Sequence, residues 1–298
     1  MDFQPTEDQK DLRAGVRDLL AGRYGRDALR ASVDSGVSVD RALWRELGEA
    51  GFFALRLPES EGGVGLGLPE AVLVFEEAGR ALVPGPLVAT HLAAGVVPGA
   101  AAGTAVVSAF DLGGPLVAHL GDADAVLGAS GVPAGEPVRS VDPLTPLHRV
   151  AVAGDSSAYR EVGALLTAAL QLGSALRTVE LAVRYAGERE QFGQPIGAFQ
   201  AVKHLCARML VRAEVARTAV YAAAVTGDEG EVAAAKLLAD EAAVRGARDC
   251  LQVHGGMGFT WEADVHLHLK RAWVRAEQWR TAAQAEELLA RELLGSAG

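Results

Sequence analysis

The chain has 298 residues, 50% hydrophobic and 22% charged, which is ample apolar material for a sizeable core and excludes wholesale disorder. Asp plus Glu number 38 against 28 for Lys plus Arg, a net charge of −10, so there is no cationic surplus to neutralise nucleic-acid phosphates. Two cysteines, Cys206 and Cys250, cannot build a disulfide framework or a Cys-rich zinc site, and a reduced, cytoplasmic setting is expected. Met1 to Gln4 carry no basic or apolar leader pattern, so no signal peptide is expected. The longest apolar stretches are broken by Gly, Pro or charge short of the ~20 residues a membrane span needs, so no membrane span is expected.

Composition divides the chain into three expected regions: residues 1–100, 101–153 and 154–298. The first reads as helical. Thr6 and Gln9 fit a capping box, and Leu12, Val16, Leu19 and Leu20 follow at helical spacing. Helices are predicted over Val39–Ala50, ending at Gly51, and over Pro69–Ala81, with Pro69 in the first turn. The loop Leu57 to Gly67 is glycine-rich but lacks G-x-G-x-x-G spacing and follows a helix, so it is not a dinucleotide phosphate loop.

The second region has short runs such as Ala105-Val106-Val107 and Ala125-Val126-Leu127 between Gly, Pro and Asp turns, which predicts short strands in a small sheet or partial barrel. The third is strongly helical. Leu165, Ala169, Leu172, Leu176, Val179 and Val183 step by four and three, an apolar stripe on one long helix. Further helices are predicted over Gln200–Val225, Glu231–Val253 (closed by Gly255-Gly256), Glu262–Trp273 and Arg280–Leu294. Short connections predict antiparallel neighbours, hence a bundle.

Two segments carry chemistry. Gly187 to Gln200 holds Arg189, a planar cationic fork suited to phosphate, and Phe192, an apolar plate. A plain helix–loop–helix connector would use Gly193 and Pro195 in the same way. Gln252 to Thr260 contains Gly255-Gly256-Met257-Gly258, where glycine permits either a helix cap or close backbone approach to a ligand. His254, His266 and His268 lack acidic or cysteine partners at ligand spacing, so no metal site is expected. Lys270-Arg271 reads as a solvated or interface charge pair, and no G-x-S-x-G element is present.

Taken together the chain resembles the acyl-CoA dehydrogenase family over nearly its whole length. The resemblance rests on Leu43 to Phe52, the Pro58–Gly67 loop, Glu76 to Leu82, Arg189 to Ile196 and Gln252 to Thr260, all in the expected order. Phe259 to Leu267 is similar to an actinobacterial branch whose members often act as unlike pairs on steroid or other bulky CoA thioesters. The resemblance implies an N-terminal helical domain, a small middle β-domain and a C-terminal four-helix bundle. It implies a reaction in which a carboxylate takes the α-proton of an acyl-CoA and the β-hydride passes to FAD. It further implies FAD shared across a subunit interface, a dimer of dimers, and cofactor-binding roles for Arg189, Gln191, Phe192, Gln200, Gln252, Gly255 and Gly256.

The departures matter as much. The family base is a Glu at one of two places, which fall here at Trp279 and Gly163; the Arg that faces substrate falls at Ala164. Glu277 and Glu161 stand two residues away. Residues 101–153 are short and lack the family's flavin-ring segments; Ser140 to Leu144 is similar to that domain's end. The leading expectation is a non-catalytic subunit that contributes to the reaction with a catalytic acyl-CoA dehydrogenase partner. The alternatives are a divergent active dehydrogenase using Glu277, Glu161 or Asp264 as base, and a non-enzymatic helical scaffold that binds an acyl group or a protein.

Overall fold

The computed structural model describes residues 5–295; the ends of the two outer regions, and the leader expectation at Met1 to Gln4, lie outside it. The chain is mostly helical with small sheets. Helix α1 (Glu7–Arg23) opens on the capping box: Gln9 N–H donates to Thr6 Oγ1 (3.2 Å) and Thr6 N–H to Gln9 Oε1 (3.0 Å). Helix α2 (Arg26–Ser35) is a short element the periodicity did not reveal. Asp40 caps α3 (Arg41–Glu49), accepting from Ala42 N–H at 2.8 Å. Helix α4 (Leu68–Arg80) has Pro69 in its first turn and Glu70 reaching back to the Gly67 N–H. Helix α5 (Leu87–Leu92) was also not predicted.

Five short strands follow: β1 (Val107–Ala109), β2 (Leu116–Ala118), β3 (Ala125–Leu127), β4 (Gly135–Val138) and β5 (Leu147–Val150). They form a parallel β1–β3 pair and an antiparallel sheet ordered β2–β5–β4. Phe110, Val117, Leu120, Val126 and Val150 fill a small core of their own. The C-terminal part comprises α6 (Arg160–Glu188), a two-residue hairpin β6–β7 (Glu190–Gln191, Gln194–Pro195), α7 (Gln200–Thr226), α8 (Glu229–His254), α9 (Val265–Ala276) and α10 (Ala282–Gly295).

Helix α6 is the axis of the molecule. It packs against α4, α7, α8 and α9, so it is buried on every side from Gly163 to Leu176 rather than along the single stripe its spacing suggested. Leu165, Ala169, Leu172, Leu176 and Val179 lie in the core, but Val183 is exposed. By length and hydropathy α6 is apolar enough to cross a membrane, contrary to the expectation from unbroken runs; 89% of its apolar window is buried inside the fold. Two glycines let α4 and α6 touch backbone to backbone: a Cβ on Gly79 would stand 2.0 Å from the Leu170 carbonyl oxygen, and one on Gly173 would stand 1.8 Å from that of Glu76.

Several of the polar residues that the core encloses are paired. Lys236 Nζ donates to Asp240 and to the Arg275 carbonyl (3.1 Å), while Gln171 Nε2 donates to Asp240 Oδ1 (3.0 Å). Arg271 is buried, not solvated as its neighbour Lys270 suggested. Its guanidinium bonds Asp142 and the Val83 carbonyl, tying the β-region and the turn after α4 to α9. Burial alone would raise the Asp142 carboxyl, but Arg271, Thr145 and the Leu144 N–H hold it below the usual range. Lys270 instead lies with Nζ 4.9 Å from the centroid of the Trp261 ring.

Candidate functional site

The candidate residues fall at two separate places. At one end of the bundle α6 stops where Arg189 takes an extended conformation, and the hairpin reverses the chain through Phe192 (φ +56°) and Gly193 (φ +77°) into α7. A left-handed φ costs an aromatic residue; Phe192 is 92% exposed, with its ring edge-on to Phe199 at 6.0 Å. The Arg189 guanidinium makes no hydrogen bond or ion pair among the described residues and is exposed. Gln191 donates to the Glu190 carbonyl, and Gln200, at the start of α7, is exposed.

Helix α8 ends beside them. Its His254 stacks on Tyr185 of α6 at 4.2 Å, and Tyr185 is the residue whose carbonyl accepts from the Arg189 N–H. Gly255 follows with φ +59° as the helix cap; a Cβ at Gly255 or Gly256 would meet nothing within 4 Å. Arg189, Phe192, Gly255 and Gly256 thus sit at one bundle end as an open surface with a free cation, an apolar plate and accessible backbone. That combination suits a phosphate joined to a flat ring.

The second place is at the other end of α6. Trp279 adopts φ +63°, is 5% exposed and donates its N–H to the Asp111 carbonyl at 2.5 Å. Its indole lies over α6, where a Cβ on Gly163 would fall 2.3 Å from Trp279 Cδ2. The two positions singled out by counting from the motifs are therefore in contact, and neither carries an acid. Beside them a polar cleft of about 210 Å³ is lined by Asp111, Arg160, Glu277, Trp279 and Gln284 among others. Asp111 was not singled out in the sequence. Burial pushes its carboxyl up to about 7, against the hydrogen bond from Gln278 Nε2 (2.8 Å). Its only local signal is a Gly-Gly turn two residues on.

The three candidate bases do not form one constellation. Glu277 caps α9, is exposed and lines this cleft. Glu161 stands in the first turn of α6 and is ion-paired with Arg280; burial raises its carboxyl against that charge. Asp264 lies at the opposite end of α9, about 18 Å away along a 12-residue helix. It is held there by Arg26 (2.6 Å) and Arg30 (3.6 Å). The histidines are also dispersed: His254 stacks on Tyr185, His266 on Trp261, and His268 Nδ1 bonds Ser174 Oγ at 2.8 Å. Among the described residues no three His, Cys, Asp or Glu side chains converge as a metal site would require.

Comparison with known proteins agrees with this architecture. Residues 6–108 match the family described as acyl-CoA dehydrogenase, N-terminal domain, and residues 160–285 match acyl-CoA dehydrogenase, C-terminal domain. The chain is 38% identical over 291 residues to the acyl-CoA dehydrogenase IpdE2 of Mycobacterium tuberculosis, covering 90% of this chain and 92% of that protein. Among solved structures it is similar to the ChsE4-ChsE5 complex of Mycobacterium tuberculosis, with TM-score 0.85 and 26% identity over 99% of both chains. It also shares the fold of PigA solved with FAD, with TM-score 0.83 and 19% identity over 100% of both chains.

Proposed function

The chain belongs to the acyl-CoA dehydrogenase family, and from that premise we propose that it is the non-catalytic subunit of a heteromeric, FAD-dependent acyl-CoA dehydrogenase. The observation that carries this reading is the contact between Trp279 and Gly163: an indole and a glycine occupy the two positions where this family places its carboxylate base. A base needs a carboxylate within hydrogen-bond reach of the α-proton. Here the space such a group would use is filled by a buried ring.

The surface at the other end of the bundle supports retention of a cofactor half-site. Its residues fit the distal part of FAD, whose bound flavin supplies the hydride acceptor of the reaction. Arg189 would pair with a pyrophosphate oxygen, since an unpartnered guanidinium has no competing carboxylate to displace. Phe192 would cover the adenosine face, and Gln191, Gln200 and Gln252 would hydrogen-bond at its edges. Gly255 and Gly256, with no side chains, would let the backbone approach.

An obligate partner is supported by apolar exposure along α7, where Leu210, Val211 and Val215 are 47%, 62% and 49% exposed. We take that partner to be a catalytic acyl-CoA dehydrogenase subunit, assembled with this chain as a cytoplasmic dimer of dimers. Similarity in fold to the Tcur3481-Tcur3483 steroid acyl-CoA dehydrogenase supports a bulky, steroid-like acyl-CoA as substrate, and similarity to the ChsE4-ChsE5 complex supports a pairing of unlike subunits. The test is a visible spectrum of the purified chain, alone and with its partner, before and after acyl-CoA thioesters are added. Flavin that bleaches only in the complex is expected. Substrate-dependent bleaching by the chain alone would overturn the proposal.

A further inference from the structure

A second cleft, of about 330 Å³, lies between the C-terminal ends of α1 and α4, the middle of α6 and the start of α9. It shares no lining residue with the Trp279 cleft or with the Arg189 surface. Its size falls at the lower end of small-molecule sites. Leu20, Leu29 and Leu82 are 2%, 8% and 1% exposed and form its deep apolar part with Leu181. Arg17, Arg26, Arg80 and Arg177 stand nearer solvent, with side chains 48%, 63%, 19% and 30% exposed.

These arginines are incompletely neutralised. Glu77 accepts both Arg17 nitrogens (2.9 and 2.6 Å) and lies 3.9 Å from Arg80. Glu180 is shared by Arg80 and Arg177. Asp264 is shared by Arg26 and Arg30. The four arginines that line the cleft therefore share three carboxylates, one of them also held by Arg30, a local surplus of positive charge in a chain whose net charge is −10. His268, at the cleft, adds no charge at neutral pH, because burial pushes it down to about 3 and Ser174 occupies its Nδ1. A surplus of guanidinium forks above a leucine-lined floor suits an anion that carries an apolar tail, because the fork geometry matches carboxylate and phosphate.

We propose that this cleft binds a small amphipathic anion, a carboxylate or phosphate monoester on a short alkyl chain, with the chain against the leucines and the head among Arg17, Arg80 and Arg177. The site is independent of the proposed function, since none of its residues belongs to the cofactor surface or to positions 163 and 279; Asp264, an alternative candidate base, lies at its edge, ion-paired with Arg26. The test is isothermal titration calorimetry on the full chain with decanoate and with decyl phosphate, and with inorganic phosphate as the head group alone. Saturable binding of at least one amphiphile is expected, weakened roughly tenfold or more by Leu181→Trp, which fills the floor, and by Arg177→Gln, which removes a head-group fork. The tighter of the two amphiphiles identifies the head. The proposal is overturned if neither amphiphile saturates below its micelle concentration, or if inorganic phosphate binds as tightly as either. It is also overturned if a variant shown folded by circular dichroism keeps wild-type affinity; should Leu181→Trp not fold, Arg177→Gln decides alone.

Discussion

The indole of Trp279 rests on the bare backbone of Gly163, so close that a single methyl group on Gly163 would stand 2.3 Å from Cδ2 of the ring. The loop after α9 and the first turns of α6 are locked by this contact, with the Trp279 N–H on the Asp111 carbonyl securing the loop from the β-region side. Gly163→Ala must therefore expel the ring or bend the helix, and is expected to destabilise the chain by ~1–3 kcal/mol. Trp279→Ala leaves a cavity and is expected to cost ~3–5 kcal/mol. The double variant should cost less than the sum of the two. Urea denaturation of all four proteins measures the coupling, and strict additivity would show that the two residues do not press on each other.

Glycine has opposite meanings at two points of α6. Gly173 faces the Glu76 carbonyl oxygen, which an added Cβ would meet at 1.8 Å, so Gly173→Ala is expected to lose ~3 kcal/mol or more by driving α4 away. Gly187 has nothing within 4 Å of an added Cβ, so Gly187→Ala should gain ~0.5–1 kcal/mol from helix propensity alone. Thermal melts of the pair read both signs.

Burial gives Asp111 a pH signature. Its carboxyl sits at about 7 in the folded chain and near 3.8 when unfolded, so between those values the native state binds the extra proton. Stability attributable to Asp111 is therefore full below about pH 4 and falls as pH rises towards 7. The wild-type-minus-variant difference for Asp111→Asn should decline over that window and level off above it. A flat difference from pH 4 to 8 would mean the carboxyl is ionised throughout.

His268 has the reverse sign. Burial holds it at about 3 against an ordinary 6.5, so the unfolded chain takes the proton first. The stability it contributes is present above 6.5 and lost as the solution is acidified towards 3. His268→Gln keeps a hydrogen-bonding partner for Ser174 and removes the titration. Its unfolding midpoint in denaturant should change less than that of the wild type between pH 6.5 and 4.

The side chains of Arg189 and Phe192 are exposed, Phe192 meeting the Phe199 ring edge-on. Arg189→Ala and Phe192→Ala are each expected to alter stability by no more than ~0.5 kcal/mol. On the proposed function they nonetheless lower flavin occupancy of the complex with its partner, which absorbance at the flavin maximum reports. Full occupancy in both variants would remove these residues from the cofactor half-site.

The long helices were legible because their apolar residues repeat with the helical period and their ends carry local caps, as Thr6 with Gln9 and Gly255 show. The short α2 and α5 were not, because ten and six residues carry too little periodicity to stand out from loops. Arg271 was misread for a related reason. A charge on a helix looks solvated until a partner distant in sequence is known, and Asp142 lies 129 residues earlier. The proposed cofactor residues were named from the resemblance, through the motifs around Arg189–Phe192 and Gln252–Gly256; that the two motifs stand together at one bundle end came only from the packing of α6 and α8.

What the sequence determined by itself was local: helix starts and stops, the family, and the absence of an acid at positions 163 and 279. The tertiary structure alone decided that those two positions meet, that Asp111 lies against them, and that arginines from four separate segments share one cleft with three carboxylates. Periodicity and capping act over a few residues and leave their trace in adjacent letters. Ring-on-glycine contact and charge surplus arise between segments 60 to 238 residues apart, and only the packing of the helices against one another brings them within ångströms.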